Sequence, residues 1–378
     1  MNRLIVKIVF SIMIFCGTAN IAFAESEIEV PKEAIYAKGQ VNQLTEQHIQ
    51  IHEEDPLYDR TKDGPQFNII QNVTYEVLEG PYKGTIFESV NEITGQIYDV
   101  YLKKGDKVML LLKLYEDGSF DGYAIDFIRN NTMIVFVSLF FVGLLILGKM
   151  KGLRALVSLV ITVSAIFFIL IPLTLKGYNA LMLAVIISIF VAPITIFLIA
   201  GFNKKAVSTI LGALSGVLFA ALIAYIVGNI SILTGLSDED ARILYVNRPD
   251  LNFSNIFFAS IMIGSLGAVM DVGMTIASAV NEVYIAHKNS TRKSLFEAGM
   301  QVGKDTIGTM SNTLILAYVG SSLPLLLLFS MDNFGFINVI NFDFIAAEIV
   351  RSISGSFGIL IATPVTAFAS AFLLRSKN

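Results

Sequence analysis

The sequence predicts a multi-pass α-helical membrane protein of about seven spans, headed by a small extracytoplasmic β-barrel or OB-like domain. Three observations predict it. Of 378 residues, 54% are hydrophobic and 15% charged, with a mean hydropathy of +0.67, whereas a soluble domain carries about 25% charged residues. Charge is divided unevenly: residues 25–130 hold 20 acids against 10 Lys and Arg, and residues 131–378 hold 11 against 15. From Asn130 onward, apolar stretches of spanning length (about 20 residues) succeed one another. The first part suits water and the second suits lipid.

Residues 1–24 place Arg3 and Lys7 ahead of an apolar run that closes on Ala22-Phe23-Ala24. Small residues at −3 and −1 suit signal peptidase, so the segment reads as an export signal; the alternative is a retained first membrane helix. Either way, the chain from residue 25 onward is delivered across the membrane. Cys16 is the sole cysteine, so no disulfide forms within the chain. Bulky Phe15 before it argues against a lipoprotein.

Residues 25–130 read as the β domain. Polar and apolar residues alternate in HIQIH (48–52), NVTYEVL (72–78), GQIYDVYL (95–102) and KVMLLLKLYEDG (107–118). Turn signals separate these runs: DG at 63–64, GPYKG at 80–84, TGQ at 94–96, KKGD at 103–106 and DGSFDG at 117–122. The acidic balance and exported position argue against nucleic acid as a partner. His48 and His52, ahead of Glu53, Glu54 and Asp55, read as solvated polar residues before they read as a metal site.

Expected spans lie near 132–148, 155–175, 179–202, 207–235, 253–280, 307–331 and 345–373. With the β domain outside, the inner loops carry eleven basic residues (Lys149, Lys151, Arg154, Lys204, Lys205, Lys288, Arg292, Lys293, Lys304, Arg375, Lys377) and the outer loops three (Lys176, Arg242, Arg248). That asymmetry supports this orientation in a cell membrane, with the C-terminus in the cytoplasm. Residues 279–305 read as an amphipathic helix on the inner surface. Gly212-x-x-x-Gly216 reads as helix packing, and Pro193 and Pro324 as kinks.

One acid, Asp271, stands in the apolar stretch GSLGAVMDVGMT (264–275), where a charge costs about 2.5–3.5 kcal/mol at the bilayer centre. At 100° per residue, Ser260, Gly264, Gly267, Thr275, Ser278 and Glu282 fall within about 40° of it. The opposite side carries Ile261, Met262, Val269 and Ile276. Small residues permit close helix approach and hydroxyls bond across it, so Asp271 is expected to point into the bundle. It is then either a protonated packing acid or one that binds and releases a proton or cation. Burial raises a carboxyl above its reference of about 3.9, which brings titration into a physiological range.

In the next span, GKDTIGTMSNTLILAYVGSSLPLLLLF (303–329), Asp305, Gly308, Thr309 and Asn312 share a face. Asn312 both donates and accepts and is expected beside Asp271. Glu348 and Arg351, three apart, are expected to form an ion pair near the outer interface, with a gate lining as the alternative. Ion-coupling candidates are thus Asp271, Thr275, Glu282, Asn312 and Asp305, with Gly264, Gly267 and Gly308 as a helix-packing face. An aspartyl protease needs two membrane acids, and no P-loop is present, so no enzyme activity and no cofactor are expected.

GSLGAVMDVGMTIASAVNE (264–282) and GKDTIGTMSNTLILAYVGSSLPLLLLF (303–329), behind a signal and β domain, resemble the YibE/F family of bacterial membrane proteins, in the longer form that carries an extracellular domain. That resemblance implies paired products, hence a homo-oligomer or a heteromer with a YibF-like membrane protein. From Gly264 to Phe329 the chain is also similar to Sec export accessory proteins and resistance-nodulation-division permeases. This likeness implies that Asp271 matches their membrane acid, Glu282 the acid ending that helix, and Ser311, Asn312 and Thr313 the polar entry of the next span. The extra spans ahead of the Asp271 helix depart from that pattern. Two functions are expected on these grounds. One is a proton- or ion-coupled transporter or translocase module with Asp271 as coupling acid. The other is a non-transporting assembly factor or sensor whose β domain binds a partner. The ligand's identity stays open.

Overall fold

The computed structural model describes residues 34–51, 66–93, 99–114, 120–331 and 335–375, in two compact units that part between Leu139 and Phe140. The expected signal or first helix, and His52 with the acids after it, lie outside the described residues.

The first unit is a curled antiparallel sheet of five strands in the order β3-β2-β1-β4-β5, with β1 Ala34–Ile51, β2 Gln66–Val77, β3 Ile86–Ile93, β4 Lys107–Leu114 and β5 Phe120–Phe127. Long β1 pairs β4 through its first half and β2 through its second. Register shifts between Val41 and Gln43 and between Met109 and Leu110 bend the strands, as bulges do. The sheet curls so that its end strands approach each other, and Phe87 of β3, against its β2 partner Tyr75 with ring centroids 5.4 Å apart, also faces β5. A Cβ on Gly122 of β5 would come within 2.9 Å of the Phe87 ring. The core is Val41, Val73, Tyr75, Val108, Leu110 and Leu112. Burial pushes the Tyr75 phenol up to about 12. The turns at 80–84 and 103–106 are where expected, with Gly80, Gly84 and Gly105 at φ of 89°, 83° and 92°.

Two strands differ from expectation. IFESVNEI is β3 and FDGYAIDF is β5, although residues 117–122 read as a turn. The described part of GQIYDVYL, 99–102, joins no ladder. Buried Gln71 replaces one: its amide oxygen accepts from the Leu102 N–H (3.1 Å) and its amide nitrogen donates to the Leu102 carbonyl (3.0 Å). Asn91 donates to Gln71 (2.9 Å) and to the Val100 carbonyl (2.7 Å). Hydrogen bonds from Tyr101 and Gln71 hold the Glu46 carboxyl below its ordinary range, and the same bond raises the Tyr101 phenol. Gln71→Leu strips the Leu102 peptide of both partners, at a cost of about 1–3 kcal/mol per orphaned group. Hydrogen exchange at Leu102 in the full chain is expected to speed up by roughly tenfold or more, with the helices unchanged.

The second unit is helical, and its first helix begins in the last ten residues of the first unit. α1 (Asn130–Ala165) breaks at Lys149, whose φ is 49°, and continues through a π-helical turn, Ile166–Leu170, into α2 (Ile171–Leu175). A Cβ on Gly152 would collide with the carbonyl of Leu144. Residues eight apart in a straight helix lie about 12 Å from each other, so the chain corners sharply at Lys149. α3 (Ala180–Ala200), α4 (Lys204–Ile230) and the short α5 (Glu239–Asn247) come next, then α6 (Phe253–Ala286), α7 (Arg292–Ser321), α8 (Leu323–Met331), α9 (Phe336–Ile340) and α10 (Asp343–Leu374). Side chains cap the long helices: Asn179, Asn203, Asn252 and Thr291 each accept from the N–H three residues on.

Among the described residues, five helical runs are long and apolar enough to cross a membrane, or six with α7 and α8, bent 60° at Ser322, taken as one. They fit a membrane protein. Fewer runs than the expected seven arise because 132–148 and 155–175 form one helical run with a corner in it. The bend between α7 and α8 falls just before Pro324, whose ring cannot continue a helix without loss of a hydrogen bond. Residues 279–305 are no separate amphipathic helix; α6 runs to Ala286, five residues turn, and α7 begins. Apolar continuity through Val280 and Leu295, both fully buried, extends the two spans into that segment.

α10 packs on α4, α6 and α7, and α6 also on α3 and α4. Glycines set these approaches. A Cβ on Gly216 of α4 would come within 2.7 Å of Val269 of α6, and one on Gly358 of α10 within 2.9 Å of the Gly216 carbonyl. A Cβ on Gly299 of α7 would reach 2.7 Å from Val280 and 2.9 Å from Ala367.

Candidate functional site: an open polar stripe on α6

The helical phase read for α6 is the phase observed, with the two sides exchanged. Ile261, Met262, Val269 and Ile276 are buried, at 1% exposure or less. Between Phe253 and Tyr284 the exposed positions are Ser260, Gly264, Gly267, Asp271, Thr275 and Glu282. Asp271 therefore points away from this chain's own bundle, contrary to expectation. The physical reason is volume: the face of large apolar side chains fills the interior, and the small residues are left outside.

The packing face read for Gly264, Gly267 and Gly308 is corrected with it, since among the described residues Gly267 and Gly308 pack on no helix and Gly264 approaches α7 only at a side-chain tip. A Cβ on Gly267 or Gly308 would meet nothing within 4 Å, and one on Gly264 only the Tyr318 hydroxyl at 3.1 Å. The packing glycines are instead Gly212, Gly216, Gly299, Gly303 and Gly358. The Gly212-Gly216 spacing was readable; the other three needed knowledge of which helix each one faces.

The neighbouring start of α7 continues the open surface. Asp305, Gly308, Thr309 and Asn312 are all exposed. Gly299 lies against Val280 and Gly303 against Ile276, so residue numbers at one level of the antiparallel pair add to a constant. That register sets Gly308 level with Asp271, and Asn312 level with Gly267, one turn away. No hydrogen bond joins Asn312 to Asp271 among the described residues. The Thr309 hydroxyl donates to the Thr306 carbonyl (3.1 Å) and that of Thr313 to the Thr309 carbonyl (2.9 Å), which leaves the oxygen lone pairs for other donors.

What distinguishes this surface is the absence of bulk. Large apolar side chains are exposed along α3 (Ile186, Phe190, Ile194), α4 (Leu211, Leu218, Leu222) and α10 (Ile353, Phe357, Leu360). Among the described residues none is exposed from Asn247 to Tyr284, nor from Ala286 to Ile315. Those helices present a lipid-like coat; α6 and the first half of α7 present small and polar groups.

At the other end of the bundle, Arg351 donates to Glu348 one turn before it on α10, and lies 3.9 Å from Asp238. The guanidinium also stands over the rings of Phe257 (5.3 Å) and Tyr318 (5.9 Å). Asp238 and the two rings were not legible as partners, because three loops and helices bring them together. On the β unit, His48 stands exposed, and no group of three His, Cys, Asp or Glu that could hold a metal ion occurs among the described residues.

No curated protein and no solved structure matches the chain. A family profile described as YibE/F-like protein matches residues 136–376, which take in α6, α7 and α10 and the whole polar stripe. With well over half of its length so matched, the chain belongs to the YibE/F-like protein family.

Proposed function

We propose that the chain is one subunit of a proton- or ion-coupled membrane transporter or translocase, in which Asp271 takes up and releases the coupling ion. The observation that carries this reading is the open stripe: a lone acid at the middle of an apolar helix, set among small residues, beside the polar start of α7. An acid in that position facing lipid is costly, and such acids line ion paths or water-filled cavities. A second subunit, either another copy or a YibF-like partner, closes the stripe and supplies the opposing wall.

The rest of the reading rests on the same physics. The chain turns at Lys149, so the run from Asn130 to Leu175 makes two spans, because about 69 Å of straight helix exceeds twice the roughly 30 Å hydrocarbon core. Seven spans put the two ends of the membrane part on opposite sides, which supports a β unit outside, behind an export signal, and a C-terminus in the cytoplasm of a bacterial cell. The sheet order, with β3 approaching β5, supports reading the β unit as a partly open OB barrel.

Everted vesicles energised by respiration test the coupling. A panel of solutes is added while a ΔpH-sensitive dye reports proton movement, and at least one solute is expected to collapse the gradient only when the wild-type chain is present. An equal response from Asp271→Asn vesicles sinks the proposal. A shallow polar depression of about 320 Å³ across β1, β2 and β3, lined by Gln43, Thr45, Asn72 and Glu88, favours the second reading, an assembly factor or sensor whose β unit binds a partner. That reading gains if no solute moves protons and the β unit alone captures a membrane or exported protein.

A further inference from the structure

A cavity of about 530 Å³ opens where α7 bends into α8, opposite the first turns of α10. Its volume lies within the range of small-molecule sites, about 300–1,000 Å³. Leu326, Phe329, Val339 and Ile345 line much of it with hydrocarbon, and Tyr318, Glu348 and three serines supply its polar groups. The cavity is therefore amphipathic.

Charge decides what fits. Glu348 and Asp238 share the single guanidinium of Arg351, which leaves one negative charge in excess. Arg351 engages one oxygen of Glu348, while the other, Oε2, and the guanidinium Nε are buried without a hydrogen-bond partner. Buried polar groups in folded proteins are satisfied, and Glu348 lines the cavity. An anion would serve Nε but deepen the excess charge, and water corrects no charge; a cation with N–H donors corrects the charge and serves Oε2.

We infer that this cavity binds a lipophilic cation, an apolar body carrying one protonated amine, whose N–H groups donate to Glu348. A charge-assisted bond in a low-dielectric site discriminates strongly, so a neutral molecule of the same shape binds less well and an anion worst. Binding is measured without an ion gradient, so its outcome does not depend on the role given to Asp271.

The test is calorimetric titration of the purified full chain in lipid nanodiscs with three probes of equal length: octylammonium, octanol and octanoate. Octylammonium is expected to saturate at one per chain and to bind at least about tenfold more tightly than octanol, with octanoate weakest. Glu348→Gln removes the preference for the amine. Val339→Trp fills the apolar part without touching the charges and abolishes saturable binding of all three, which keeps the test decisive if Glu348→Gln does not fold. Wild-type heats no different from those of Val339→Trp, a preference for octanoate, or an amine preference that survives in folded Glu348→Gln overturns the inference.

Discussion

Asp271→Asn is expected to abolish solute-dependent proton movement while the chain folds and inserts as before. The side chain is exposed, and among the described residues it has no hydrogen bond or ion pair to lose. A substitution at such a position changes stability by about 0.5 kcal/mol or less. An amide keeps the size and most of the hydrogen-bonding capacity of the acid but cannot exchange a proton or neutralise a cation. Function and stability should therefore separate: an unchanged melting temperature, with gradient collapse falling to the level of vesicles without the protein. Asp271→Glu, which keeps the titrating group and shifts it by one methylene, is expected to retain partial activity. A mutant that fails by unfolding would instead point to a packing role.

The second large effect contrasts two glycines that look alike in sequence. Gly216→Leu drives a branched side chain into the Gly358 carbonyl, Val269 and Ala362. None can withdraw without parting α4 from α10 and α6, and overpacking of this kind costs about 3 kcal/mol or more. A strongly lowered melting temperature of the purified chain, or loss of the folded protein from the membrane, is the expected outcome. Gly267→Leu meets open space and should leave the melting temperature of a single chain nearly unchanged. If a second subunit covers the stripe, the same substitution obstructs the approach, and the expected loss is in assembly, seen as a smaller particle in detergent. Opposite results for the two glycines would reverse the assignment of inner and outer faces.

Much of this architecture was legible in the sequence because it derives from periodicity. All seven expected apolar stretches fall in α1, α3, α4, α6, α7 and α10 or their extensions, two of them in α1, and the polar stripe of α6 has the phase that its spacing dictates. Direction was not legible. The spacing of apolar residues distinguishes two faces of a helix but does not say which neighbour covers each one. In α6 the larger apolar face won the interior of the chain, so Asp271 and its glycines were left outside. Asn312 illustrates the same limit: its face on α7 was readable, whereas its level against Asp271 depends on the interhelical register set by Gly299 and Gly303. In the β unit, IFESVNEI alternates in burial but not in polarity, so no period-2 signal marks it. GQIYDVYL does alternate, and at its described end Gln71 takes the place of a neighbouring strand, a substitution that no period reveals. The cavity by Glu348 needs the α7–α8 bend, α9 and α10 together, and so has no signature in any one segment.

The environment of the α6 stripe is the point on which the functional reading turns. Spin labels at Ser260→Cys and Thr275→Cys, in a Cys16→Ser background in nanodiscs, measure it directly when compared with labels at Phe357→Cys and Leu360→Cys on the apolar face of α10. Collisions with lipid-dissolved oxygen are expected to be several-fold fewer at 260 and 275 than at 357 and 360, because a subunit or water covers the stripe. Equal or greater oxygen accessibility at 260 and 275 would put Asp271 against lipid and contradict its role as a coupling acid.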